Sequence, residues 1–517
     1  MVGSIEGARA GLTSVTRGTL VMMLGTLGYV AESFVARVVL VRTLNAGLWS
    51  QFSYALALAG LASSFGALGL TSALARSLPY ESTDRERRRM VHTAYVVGIP
   101  AAIASGALLS LVGVPAAVVF RDPVFAETLA FFGVGVTFSV LAGLLASIFQ
   151  GYEDVVPNAL YIQVLNPMLF IGFLLVATTQ APPGWGYFGI LVAYAVAAAA
   201  SLVALLVYSR RRLPRLLPAG PRDPGLSRRL LLFAVPLFLV GVLGYLAGNG
   251  DTIILGAFQR SAVGYYAANL SMARLLQIGV GSLGYIFLPV TARFVRTGER
   301  GAVRITYVTA TKWVLLTSLP IFLVFAFLPV QSLNFVYGAG YATSTLTLEI
   351  LLVGALVSTL VGPSSVAQVA FGHTRLLFYN TLASAGADVA LGLVLVPAWG
   401  IVGAAVAWST GIALLPVLSL IELAAMEGVH PFERHFLLPL TLTAVPVGAF
   451  LLLAPIAYPY WALPGIALGA AGLFLLAVVA THSIDDGDRL LLEAVERLLG
   501  RRLPFVRWLA AFGRSAP

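Results

Sequence analysis

Apolar segments long enough to cross a lipid bilayer recur from one end of this sequence to the other, and mostly short linkers separate them. A bilayer core takes roughly 20 residues of helix. Segments of that kind read at 18–41, 49–74, 91–118, 126–149, 156–179, 186–208, 230–257, 264–292, 304–328, 346–370, 376–396, 400–425, 436–457 and 462–481. Inside a bilayer every backbone N–H and C=O must be bonded within the protein, which restricts such segments to helices. Composition agrees: the chain is 59% hydrophobic and 10% charged, against about 25% charged residues in a soluble domain. The expected fold is all-α, a polytopic membrane protein with 14 transmembrane helices.

Arginine placement tests that count. If the N-terminus is cytoplasmic, the segments that alternate onto the inner side hold 26 arginines, and the outer loops hold three, Arg42, Arg121 and Arg260. Positive charge collects on the cytoplasmic side of membrane proteins, and a wrong count would scramble the alternation. Both termini are therefore expected in the cytoplasm of a multi-pass cell-membrane protein. The net charge of +10 reports topology and does not imply nucleic-acid binding. Lys312 is the one lysine; the arginine bias fits a GC-rich genome, and a prokaryotic source is expected. There is no cysteine, so disulfides and thiolate metal sites are excluded. The first span is too long and too charged for a cleaved signal peptide.

The chain repeats itself. Pro-x-Trp-Gly-x-x-Gly occurs at Pro183 to Gly189 and again at Pro397 to Gly403, 214 residues on. Leu27-Gly28-Tyr29-Val30-Ala31 matches Leu243-Gly244-Tyr245-Leu246-Ala247 at an offset of 216; Gly47 and Gly264, and Ala75-Arg76 and Ala292-Arg293, match at 217. Six spans thus echo six spans in order. Six is even, so the halves enter the membrane in the same direction, as parallel repeats. The expected organisation is a six-helix bundle over 1–208, a basic cytoplasmic linker over 209–229, a second six-helix bundle over 230–425, helices 13 and 14 over 426–481, and a cytoplasmic amphipathic tail over 482–517. Two bundles facing across a cleft suit alternating access.

Charges inside spans are costly and mark function by default. The first span carries Glu32 and Arg37, the seventh Asp251, the eighth Arg274, the ninth Lys312 and the eleventh Asp388. Lys312 stands near the cytoplasmic end of its span, where a long side chain snorkels to the interface. Arginines in a cleft suit an anion, because guanidinium binds phosphate oxygens in pairs. Glu32, Asp251 and Asp388 are candidates for a coupling proton or sodium ion. The five histidines show no metal-ligand spacing, and no loop is large enough for a soluble catalytic domain. No catalytic residue, metal site or cofactor is expected, and the chain is not expected to be an enzyme.

Two stretches carry a resemblance. "DTIILGAFQRSAVGYYAAN" (251–269) resembles an Asp-x-x-x-Leu-Gly…Val-Gly-x-Tyr signature, and "LVPAWGIVGAAVAWSTG" (395–411) is similar to a Pro-x-x-Gly-Ile-x-Gly-Ala-Ala turn. Both are patterns of the polysaccharide flippases of the MOP superfamily, the Wzx-like transporters of lipid-linked oligosaccharides, relatives of lipid II flippases and multidrug and toxin extrusion (MATE) proteins. The resemblance runs from residue 10 to about 480. It implies a MATE-like pair of bundles with two appended helices, and a polyprenyl-phosphate- or pyrophosphate-linked glycan as substrate. It also implies a cavity lined by spans 1, 2, 7 and 8, with the phosphate end falling to Arg37 and Arg274. Asp388 departs from the family, which often has Asn in that region. The expected partners are the lipid-linked substrate, membrane lipids and glycan assembly enzymes, with no nucleic acid, and the chain is expected to act as a monomer. A cation-coupled efflux transporter of the same superfamily is the alternative; a membrane glycosyltransferase or polymer ligase is a third reading, disfavoured because the loop 329–345 lacks acids and arginines.

Overall fold

The computed structural model describes residues 22, 25–81, 83–152, 154–180, 186–212, 224–453, 458–459, 461–481, 483 and 488. Among these, every regular element is helical. By contact the chain divides at Gly264–Tyr265. The first unit holds α1 (25–43), α2 (Ala46–Ala67), α3 (Leu70–Ser77), α4 (Asp84–Phe120) and α5 (Pro123–Gly151). A π-helical stretch, Asn158–Leu165, leads into α6 (Asn166–Gln180), followed by α7 (Gly186–Arg212) and α8 (Pro224–Gln259). From α9 (Val263–Leu275) the second unit continues through α10 (Ile278–Thr297), α11 (Arg300–Phe327), α12 (Pro329–Val336), α13 (Thr345–Val361) and α14 (Ser364–Ala370). It ends with α15 (Thr374–Trp399), α16 (Ile401–Glu427), α17 (Arg434–Leu453) and α18 (Ala462–Ala480).

Eleven helices among the described residues are long and apolar enough to cross a membrane, or twelve if α2 and α3, bent by 46° at their junction, count as one. The expected fourteen is therefore not confirmed. The shortfall has two sources. The first span begins outside the described residues. The eighth is broken: α9 stops at Leu275 and α10 starts at Ile278, while α9 is counted in one helical run with α8, Arg228–Leu275. The bend between α2 and α3 falls at Leu68 and Gly69, both at positive φ, 47° and 69°. The arginine distribution defines the inner and outer ends of the helices.

Small residues set the close approaches, as lipid-embedded helix packing requires. In the first unit a Cβ on Gly106 of α4 would lie 2.3 Å from the carbonyl oxygen of Gly133 on α5, so these backbones touch. Phe132 and Tyr194 stack at 4.3 Å beside Phe52 and Phe170. A core of Leu70, Leu74, Met90, Leu144, Phe149, Leu230 and Ala234 ties α3, α4, α5 and α8 together. The second unit is organised round α11. Leu315 and Leu319 pack with Phe436 of α17 and Phe474 of α18, and Tyr307 packs with Phe287 and Leu423 and donates to Val361 O at 2.7 Å.

The repeated turn is partly described. In the second copy α15 ends at Trp399, Gly400 takes φ 55° and ψ −126°, a conformation left to glycine, and α16 begins at Ile401. A Cβ on Gly403 would sit 2.4 Å from Leu395 O, so the later glycine is what lets α16 fold back on α15. In the first copy residues 181–185 lie outside the described residues; Gly189 approaches Ala177 more loosely, where an added Cβ would lie 3.2 Å from the alanine methyl. Most of the linker 209–229 and the expected tail helix also lie outside them.

The contact boundary does not fall at the linker. By sequence α8 opens the second repeat; by contact it belongs with α1–α7. A repeat records ancestry and a compact unit records packing, and α8 answers differently to each.

Candidate functional site

Glu32, Arg37 and Asp251 fall in the first unit, and Arg274 and Asp388 in the second. Glu32 and Arg37 are both half-buried on α1. Five residues apart, they lie about 140° apart around the helix and cannot point the same way. One oxygen of Glu32, Oε2, is buried and finds no hydrogen-bond partner among the described residues. Asp251 is fully buried on α8 and accepts from Thr252 Oγ1 at 3.1 Å. Arg274 is half-buried in the last turn of α9, beside the break at Leu276 and Gln277. A cation there faces the negative end of a helix. Asp388 is fully buried on α15 against Gly411 of α16, next to a hydrogen bond from Ser384 Oγ to Gly411 O at 2.7 Å.

Around Asp251, α8 runs antiparallel to α2 and α3 and meets them along its length. At the inner end a Cβ on Gly69 would lie 2.3 Å from Ala234 O, and Arg76 lies over the Phe233 ring at 4.9 Å. Midway, Tyr245 donates to Ala57 O at 2.8 Å, with its ring against Gly60. Nearer the outer end the Tyr54 ring covers Gly256. At the tip Trp49 Nε1 donates to Gly264 O at 2.8 Å, Ser50 Oγ donates to Ser261 O at 2.8 Å, and Gly264 N donates to Ser50 Oγ at 2.9 Å. The signature at 251–269 thus has a structural reading: Gly256 and Gly264 are bare so that α2 can lie on them.

The charges at this outer end were not singled out by the sequence. Arg260 Nη2 pairs with Asp122 Oδ2 at 2.7 Å, Gln51 Nε2 donates to the same oxygen, and the Arg260 guanidinium rests on the Phe120 and Phe125 rings, 4.7 and 4.6 Å from their centroids. The available signal was that Arg260 is one of only three arginines on the outer side.

In the second unit Lys312 does not snorkel. It is 2% exposed, donates to Ser483 O at 2.5 Å and pairs with Asp488 Oδ2 at 2.6 Å, while Trp313 Nε1 donates to the other oxygen of Asp488 at 2.7 Å. A second polar cluster, also unread in the sequence, joins α14, α15 and α16: Gln368 and Asn380 both donate to Glu422, and Ser419 donates to Gln368.

Residues 15–295 match the model of a family described as polysaccharide biosynthesis protein, a stretch just over half of the 517 residues. The chain belongs to that family. The matched stretch covers α1 through most of α10, and with them the α2–α8 seam and the 251–269 signature. No curated protein sequence matches the chain. Solved structures share its fold. A lipid II flippase, MurJ, in an inward closed conformation aligns with a TM-score of 0.70 at 13% identity, over 89% of this chain and 98% of that one. A multidrug resistance MATE family transporter of the MOP superfamily, inward-facing, aligns at 0.60 and 14% identity, over 80% and 99%. A MOP superfamily transporter from Pyrococcus furiosus, whose binding pocket has reversed polarity, aligns at 0.53 and 15%, over 79% and 94%. This member of the polysaccharide biosynthesis family has the fold of the MOP transporters.

Proposed function

We propose that the chain is a flippase that moves a polyprenyl-phosphate- or pyrophosphate-linked oligosaccharide from the cytoplasmic to the outer leaflet by alternating access, for surface polysaccharide or glycoprotein assembly. The observation that carries this reading is the pair of guanidinium groups, Arg37 and Arg274, placed within spans of a polysaccharide biosynthesis family member. An arginine within a span is costly to hold there, and a bidentate bond to a phosphate is a use that offsets it. The half-buried position of both side chains supports access by a ligand. The fold shared with a lipid II flippase supports a lipid-linked substrate. Glu32, Asp251 and Asp388 are the groups to carry a coupling proton or sodium ion. The protein works as a monomer in the cell membrane with both termini in the cytoplasm, beside glycan assembly enzymes.

Deletion of the gene should leave lipid-linked glycan on the cytoplasmic leaflet. Arg37→Ala and Arg274→Ala should each lower glycan export by about tenfold, the worth of one charge-assisted bond, with unchanged abundance in the membrane. Normal surface glycosylation in both variants overturns the assignment. The second reading, a cation-coupled efflux transporter, draws on the MATE likeness and the three buried or half-buried acids. It requires that Asp251→Asn abolish ion-driven drug efflux in vesicles while glycan export is untouched.

A further inference from the structure

We infer that Arg260, Asp122 and Gln51 form a clasp that holds the outer ends of α2 and α8 together and opens each time the protein faces outward. The inference rests on alternating access as the mode of transport. By sequence, α2 lies in the first repeat and α8 opens the second, so a bond between their outer ends joins the two repeats. The clasp gathers three separate places in the chain: Gln51 in the first turns of α2, Asp122 at the start of α5, and Arg260 just past the end of α8. Asp122 accepts from both Arg260 and Gln51 on one oxygen. Phe120 and Phe125, packed edge to face on each other, form an aromatic corner on which the guanidinium rests beside Asp122.

The surroundings suit repeated opening. Arg260 and Asp122 are 15% and 19% exposed, so water reaches their edge and can hydrate both ions once they part. The neutral bonds behind them, from Trp49 and Ser50 to the Ser261–Gly264 turn, involve donors and acceptors that water also satisfies. The surface beneath is a tyrosine ring, Tyr54, laid on a glycine, Gly256. A flat ring leaves a glycine without unlocking interdigitated side chains.

The sequence has no cysteine, so one introduced thiol reports without background. In a Ser50→Cys protein the thiol lies at a position 1% exposed in the closed seam. Adding Asp122→Asn, or Arg260→Ala, should raise its labelling by a membrane-impermeant maleimide applied from outside by about tenfold, through a shift toward the outward-open state. A separate protein carrying Asp122→Cys and Arg260→Cys, joined by a reducible bifunctional thiol reagent, should stop transporting and recover on reduction. Unchanged labelling in both charge variants overturns the clasp, and so does full transport by the joined protein. If the charge variants do not accumulate as folded protein, the joined protein decides alone. Labelling needs no substrate, so a glycan export defect that never appears on deletion sinks the flippase reading and leaves the clasp standing.

Discussion

Two ion pairs in this protein use the same chemistry and differ in their access to water. Arg260–Asp122 sits at the outer end of the α2–α8 seam with 15% and 19% exposure; Lys312–Asp488 sits in the second unit with 2% on each side. The first rests on two aromatic rings and keeps an exposed edge. The second has every strong partner inside the protein: the ammonium holds a carbonyl and a carboxylate, and the carboxylate also holds an indole N–H. A charge that can be rehydrated in place is able to let go. A charge with no route to water is held, because separation strands an ion in a medium that cannot solvate it. The difference assigns one pair to motion and the other to anchorage of the chain beyond α18.

Substitution can break this contrast in order of expected effect. Lys312→Met should cost about 3–5 kcal/mol, since it leaves Asp488 buried without its cation, and adding Asp488→Leu should recover most of that; thermal unfolding in detergent measures both. Should Lys312→Met unfold no sooner than the wild type, the pair is not an anchor. Arg260→Ala should cost less, about 1.5–3 kcal/mol, as a charged hydrogen bond does. Its larger signature should be a change in the opening rate rather than in the unfolding temperature. Arg304→Ala removes a pair to Glu433 at 2.5 Å with sides 50% and 26% exposed, and should change stability by under about 1 kcal/mol. An effect there as large as that of Arg260→Ala would mean that access to water does not rank these pairs.

The helical fold and the family were legible in the sequence because each rests on local pattern: span length, and motifs such as Asp251 to Asn269. The anchor was not. Asp488 lies 176 residues from Lys312, and only the fold brings the two side chains together; from sequence a lysine near a helix end reads as one reaching for the interface. The break in the eighth span was hidden for a different reason. No proline marks Leu276 and Gln277, and composition does not show where the α-helical ladder gives way to tighter bonds, from Leu276 N to Ala273 O and from Gln277 N to Arg274 O. Of the site, the acids and arginines were legible as costly residues, while the clasp needed Asp122, an unremarkable loop acid, to meet Arg260 across 138 residues.

The burial of Lys312 has a practical outcome for the bench. It is the one lysine in the sequence, and its amine is closed off by Ser483 and Asp488. Acylating dyes, amine cross-linkers and lysine-directed enzymes therefore meet no ready ε-amine on the folded chain. The onset of reaction at that nitrogen becomes a clock for the moment the region around α11 comes apart.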